Sequence, residues 1–346
     1  MARFLTAFLV LTSLHGAGKE TVIFDTDSGL FGDDGAALVM LLRSPAKVNV
    51  QAVTIVPGNV WAPQGAEYML HILDLLKHSQ INVAMGADSP LIHTSAMAKE
   101  SERRWGTLSY TGAFASESLA VTAAPGSKFS TRKPRRDAVN LIISEVEKHP
   151  GDITIMALGP MTNLALALKM RPDIETKIKR VIFMGGNIRV AGNASPAAEF
   201  NFWFDPEAAR IVLRSRIPVK VMFGLDICNL ARLRKAEFDQ IVAVKTPITE
   251  LYRDDLGGRY PGFLKKADAV GYMWDSLAAG YLLDPEFVTK TESRFLDVQT
   301  TWGQFYGSTV PLDRRVAPAA TPVMVALGLD FKRVFAIYKD RLTKIE

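Results

Sequence analysis

Four aspartates, Asp25, Asp27, Asp33 and Asp34, fall within ten residues in the segment VIFDTDSGLFGDDGAAL. Carboxylates this close repel one another and raise each other's pKa unless a cation or hydrogen-bond donors compensate the charge. With no cysteine or histidine nearby, the donor set is hard oxygen. That suits Ca²⁺ or Mg²⁺ over zinc, and a flexible set with room for a ligand's hydroxyls suits Ca²⁺ better. Capping of the helix that begins GAALVM would use one member of the Asp33 and Asp34 pair and leave three carboxylates. An apolar strand running into D-x-D also opens a class of phosphatases with Asp25 as the nucleophile. That chemistry predicts Thr or Val after Gly29 and a late strand ending in an acidic pair, whereas Leu30 follows the glycine and VIFMGGN carries no acid.

The elements that must position these groups alternate along the chain. Short apolar or β-branched runs predict strands: TVIF at 21, VNVQAVTIV at 48, INVAMG at 81, ITIMALG at 153, RVIFMGG at 180 and VKVMFGLD at 219. Stretches of helical period lie between them: DGAALVMLLRS, PQGAEYMLHILDLLKHS, DAVNLIISEVEKH, TNLALALKM and PEAARIVLRS, with Pro63, Thr162 and Pro206 at expected helix starts. The pattern is α/β: an open, mostly parallel sheet flanked by helices, with a Rossmann-like core. Several strands end in polar or glycine-rich signatures, namely Asp25 and Asp27, Gly58-Asn59, Gly159-Pro160, Gly185-Gly186-Asn187 and Asp226. Ligands bind beyond the carboxyl ends of strands in such sheets, so these positions should converge on one site.

The rest of the chain adds constraints. Arg3 followed by the apolar run Phe4 to Leu14 and the small residues Gly16, Ala17 and Gly18 has the form of a secretory leader. Residues 1–18 are therefore expected to be a signal peptide, 19–346 a single domain, and the protein secreted or periplasmic. No other stretch approaches the roughly 20 apolar residues of a membrane span. The formal charge of +5 is spread over the chain. The basic stretch Lys128 to Arg136 reads as a solvated loop, so nothing demands nucleic acid. Cys228, the only cysteine, cannot form an intramolecular disulfide. Residues 90 to 135 read as a long excursion containing Trp105, residues 230 to 290 as mostly helical, and 295 to 346 as short strands closed by a helix from about Lys332 to Lys344.

Six blocks together resemble the inosine-uridine-preferring nucleoside hydrolase family. The first is the D-T-D-x-G…D-D opening, followed by VTIVPGNV, ALGPMTNLALAL, VIFMGGN, AAEFNFWFDPEAA and MWDSLAAGYLLDP. They run in family order from residue 22 to about 285. The chain departs from the family pattern in two places. Two extra residues separate Gly29 from the Asp pair, and Trp274 stands where a histidine usually precedes the late aspartate, Asp275. In the second respect the chain is similar to the purine-preferring subgroup, which carries Trp-Asp there and another tryptophan in the long loop, matched here by Trp105.

The resemblance implies hydrolysis of the N-glycosidic bond of ribonucleosides, with a preference for purines. It implies Asp27, Asp34, Asp275 and the backbone carbonyl of Leu158 as ligands of a Ca²⁺ that also holds ribose hydroxyls and a water, with Asp27 as general base. Asp33, Asn59, Asn193, Glu199 and Asn201 would bond the ribose hydroxyls, and Met184 would line the sugar. Trp105 and Trp274 would clamp the base, each aromatic pair contributing ~0.5 to 1.5 kcal/mol beyond buried area. A homodimer or homotetramer is implied. Loss of the histidine also leaves a second reading open, a secreted nucleoside- or sugar-binding protein without catalysis.

Overall fold

All six apolar runs form parallel strands of one sheet: β1 (Glu20–Thr26), β2 (Val48–Ile55), β3 (Asn82–Met85), β4 (Ile153–Ala157), β5 (Arg180–Met184) and β6 (Lys220–Phe223). The computed structural model describes residues 18–108, 114, 120–259 and 265–345, so the expected leader lies outside the described residues apart from Gly18. Further along come β7 (Arg232–Arg234) and β8 (Val270–Tyr272), which pair with each other, β9 (Val288–Arg294), the pair β10 (Leu296–Val298) and β11 (Thr309–Pro311), and β12 (Val323–Leu329).

The main sheet has the order β3-β2-β1-β4-β5-β6-β12-β9. Only β9 runs antiparallel to its neighbour. Both faces of the central strands are covered, which is why they read as continuous apolar runs rather than alternating ones. In β1, Val22 and Phe24 pack into one core cluster and Ile23 into another, as a side-chain period of two requires. The strand order reverses direction between β1 and β4, and that switch point opens a crevice at the carboxyl ends of the strands.

Helices α1 (Asp34–Leu42), α2 (Ala62–Leu75), α3 (Ser95–Trp105), α4 (Ala138–Lys148), α5 (Thr162–Met170), α6 (Phe200–Phe204) and α7 (Pro206–Arg214) follow the strands. Pro63 and Pro206 sit in the first turns of α2 and α7, where a missing N–H costs nothing. Asp205 caps α7 by accepting from the Ala208 N–H, and Thr162 starts α5 without capping it. The Thr162 hydroxyl instead donates to Asp205 Oδ2 at 2.6 Å, tying the two helix starts together.

Two expectations need adjusting. The excursion after residue 90 contains the helix α3, capped by Thr94, whose hydroxyl oxygen accepts from the Met97 N–H. The stretch from 230 to 290 contains helices but also the β7–β8 pair. The basic loop is pinned to α2, with Arg132 paired to Asp74 and the Ser130 N–H donating to Glu67. No helix among the described residues is long and apolar enough to cross a membrane.

Candidate active site

Where β1 ends, the chain turns through residues 27 to 33 before α1 starts. Leu30 takes a positive φ of 62° there, and its carbonyl accepts from the Gly35 N–H at 2.7 Å. A side chain at Gly35 would stand 2.4 Å from that carbonyl, so the last glycine of GLFGDDG is sterically required.

The four aspartates of the cluster separate into different environments. Asp25 is fully buried and accepts from Thr54 at 2.6 Å and Asn163 at 2.8 Å, joining β1 to β2 and α5. Asp27 faces the crevice and accepts from the backbone N–H of Asn59 at 2.8 Å and from its side-chain amide at 3.1 Å. Asp34 accepts from the Thr26 hydroxyl and from the Gly29 N–H at 3.2 Å. Asp33 accepts from the Asp34 N–H as the cap of α1. Asp275, from the helix Trp274–Leu283, joins them, and oxygens of Asp33, Asp34 and Asp275 lie within 4.8 Å of one another.

This crowding has an electrostatic signature. Burial, then the charges of Asp34 and Asp33, push Asp27 well above the usual carboxylate range. Burial, then Asp33, Asp34, Asp27 and Glu199, do the same to Asp275. The Oδ2 of Asp275 is buried with no hydrogen-bond partner. An unpaired buried carboxylate oxygen beside like charges is costly, and a divalent cation with oxygen ligands fits the site. The grouping differs from the expected ligand set in one respect: Asp33 stands with Asp34 and Asp275, while Asp27 is engaged by Asn59.

A cavity of about 560 Å³ opens over this cluster, lined by Asp27, Asp33, Asn59, Leu158, Met184 and Asp275 on its acidic side. Asn193, Glu199, Phe200 and Asn201 also line it. Several of these polar groups are anchored in the frame. Glu199 caps α6 and accepts from the N–H groups of Gly186 (2.8 Å), Asn201 (2.8 Å) and Phe202 (3.1 Å). Burial raises its pKa to about 7 against those donors. The Asn201 amide donates to the carbonyls of Leu158 at 3.1 Å and Met184 at 3.0 Å, and Asn193 Oδ1 accepts from the Phe200 N–H at 2.8 Å.

The remaining lining is apolar and aromatic: Leu233, Tyr252, Leu256, Val270, Tyr272 and Trp274, with Lys266 and Ala269. Trp274 stacks on Tyr272, their rings 5.5 Å apart and inclined by 17°. Sequence reasoning missed Tyr272, Tyr252, Leu233 and Lys266, which belong to no matched block. The one available signal was an aromatic residue two positions before Trp274.

Trp105 is the expected site residue that the structure does not bring to the cavity. It stands exposed at the last position of α3, in helical phase with Ala98 and Ser101, and borders a neighbouring depression shared with Trp203, Trp302 and Tyr306. The two-tryptophan clamp is therefore not assembled, and the aromatic partner of Trp274 is Tyr272. No histidine is among the described lining residues. His93 is buried beside Trp203, Phe204, Trp302 and Tyr306, and burial lowers its pKa to about 4.

Residues 22–336 match the family described as inosine-uridine preferring nucleoside hydrolase. The chain belongs to that family. It is 34% identical over 291 residues to the pyrimidine-specific ribonucleoside hydrolase RihA of Salmonella enteritidis, covering 84% of this chain and 87% of that protein. Among solved structures it is similar to the plant nucleoside hydrolase PpNRh1, with a TM-score of 0.78 at 27% identity over 95% of this chain and 100% of that one. It is also similar to the purine-preferring ribonucleoside hydrolase from Gardnerella vaginalis, with a TM-score of 0.74 at 26% identity over 94% and 98% of the two chains. As a nucleoside hydrolase the protein is an N-glycosyl hydrolase acting on ribonucleosides, which removes the phosphatase and binding-protein alternatives.

Proposed function

We propose that this nucleoside hydrolase cleaves purine ribonucleosides to ribose and free base, with Ca²⁺ as its metal and Asp27 as general base. The observation that carries the purine reading is the stacked Tyr272–Trp274 pair in the cavity wall, together with the absence of histidine from the described lining. The ring faces left open on that pair offer a stacking surface to a planar base, and a two-ring base covers more of it.

Asp33, Asp34, Asp275 and the Leu158 carbonyl are the groups that would hold the ion, with Asp27 at its edge. Once bound, the ion supplies Lewis acidity toward water and ribose hydroxyls. Asp27 is held in one orientation by both donors of Asn59 and takes a proton from the attacking water. Asn59, Asn193, Glu199 and Asn201 offer polar groups to the ribose, and Met184 packs against it. Such contacts gain strength as the ring flattens toward an oxocarbenium-like transition state. The C1′–N bond breaks with its electron pair passing to the base.

The test is ribose release from a panel of purine and pyrimidine nucleosides, with Asp27→Ala and a chelated sample as controls. Release mainly from purines, lost in both controls and restored to the chelated sample by Ca²⁺, supports the reading. The 34% identity to a pyrimidine-specific relative favours a second reading, preference for pyrimidine nucleosides, and faster release from uridine or cytidine than from inosine would establish it.

A further inference from the structure

The cavity must do something for the departing base that its residues have not yet been assigned. Breaking the C1′–N bond leaves electron density on the base, and departure without a proton is slow unless a donor stands near the ring nitrogens. Donors are concentrated in the wall that carries Trp274. The indole N–H of Trp274 is buried without a partner. The Tyr272 hydroxyl makes no hydrogen bond with any described residue, although its ring is fixed by the stack on Trp274.

The backbone holds that ring in position. Tyr272 ends β8 opposite Arg232 of β7, and the next residue, Met273, is buried and donates its N–H to the Ala231 carbonyl at 3.1 Å. Val270 and Tyr272 lie two apart on one face of the strand, and both line the cavity. The other tyrosine of the wall is already committed, because Tyr252 and Tyr338 bond through their hydroxyls at 2.9 Å. Lys266 also reaches the cavity, but it is exposed at the wall.

We propose that Tyr272 is a catalytic residue that donates its hydroxyl proton to the leaving base. The inference rests on the hydrolase reading above, with the ribose on the acidic side of the cavity. As the C1′–N bond breaks, its electron pair moves into the base ring and the Tyr272 O–H proton moves to a base nitrogen. Water adds to C1′ and gives up a proton to Asp27. That proton returns through solvent to the tyrosinate, so the sum is nucleoside plus water giving ribose plus protonated base.

Tyr272→Phe keeps the ring and its stack while removing the hydroxyl. It is compared with the wild-type holoenzyme on the best nucleoside and on 4-nitrophenyl β-D-riboside, whose phenolate leaves without a proton. The expected result is a kcat lower by about 100-fold on the nucleoside, with the nitrophenyl riboside changed less than about twofold. Equal losses on both substrates would assign Tyr272 a packing role and overturn the proposal, as would no loss on either. The ratio is measured on whichever nucleoside the enzyme prefers, so an error in the purine reading leaves the Tyr272 test intact. A wild type that opens only the nitrophenyl riboside and no nucleoside would overturn both.

Discussion

Gly58 controls the position of the proposed base without carrying any chemistry itself. A methyl group there would sit 2.0 Å from Asp27 Oδ2 and 2.7 Å from its Cβ and Cγ, whereas ordinary contact begins at 3.4 Å. The carboxylate must therefore retreat by more than an ångström or rotate away from Asn59. Gly58 does not need a positive φ, so alanine meets no backbone strain and the effect is confined to the contact. A displacement of about 1 Å at a reacting group costs on the order of 100-fold in rate, equivalent to about 2.7 kcal/mol in the barrier. Gly58→Ala should lower kcat/KM for the preferred nucleoside by about that factor. Gly65→Ala is the control, because its nearest neighbour is the Cγ2 methyl of Ile55 at 3.1 Å, which need give by only a few tenths of an ångström. The assay is steady-state ribose release, paired with thermal melts to show that both variants fold. If Gly58→Ala retained activity within about threefold of wild type, the idea that Asp27 must be held at this point would be wrong.

Further expectations concern the metal, the aromatic wall and pH. Asp275→Asn removes a buried charge from a repelling group, so it should raise the melting temperature in chelator while abolishing the gain from Ca²⁺; that gain in the wild type is about 2.7 kcal/mol at 100 times Kd. Trp274→Ala should lower kcat/KM by roughly tenfold, whereas Trp105→Ala should leave it within about twofold because that residue lies outside the cavity. An equal loss in both tryptophan variants would show that Trp105 closes over the substrate. His93 is held neutral, its pKa lowered by burial from 6.5 to about 4. Its stabilising contribution is complete above pH 6.5 and is lost as pH falls toward 4, amounting to about 3 kcal/mol. The raised carboxylates Glu199, Asp25 and Asp205 act in the opposite sense over this range. The difference between urea-unfolding stabilities of wild type and His93→Phe isolates the histidine, and a difference that stayed flat between pH 7 and pH 4 would refute the assignment.

Local pattern determined much of this protein. The six parallel strands and six of the helices, the closing one over Phe331–Thr343 included, are visible because doubly covered strands must be apolar throughout and helices repeat at 3.6 residues. Asp27, Asp33, Asp34 and Asn59 were legible because strand ends and glycine turns mark the carboxyl edge of a parallel sheet, where they meet. Asp275 came from a motif match about 240 residues further along the chain. What only the tertiary structure decided is which side chains share the cavity. Trp105 looked equivalent to Trp274 in sequence, but the helical phase of α3 turns it toward Trp203 and Trp302. Tyr272 and Leu233 enter the cavity because β7 and β8 pair across the 35 residues between them. Glu199 and Asn201, expected only to face the sugar, also hold the frame by bonding backbone groups of the turns around them. Periodicity reports which face of an element is apolar, but the identity of a side chain's neighbours depends on how distant elements are brought together, and that information is not local.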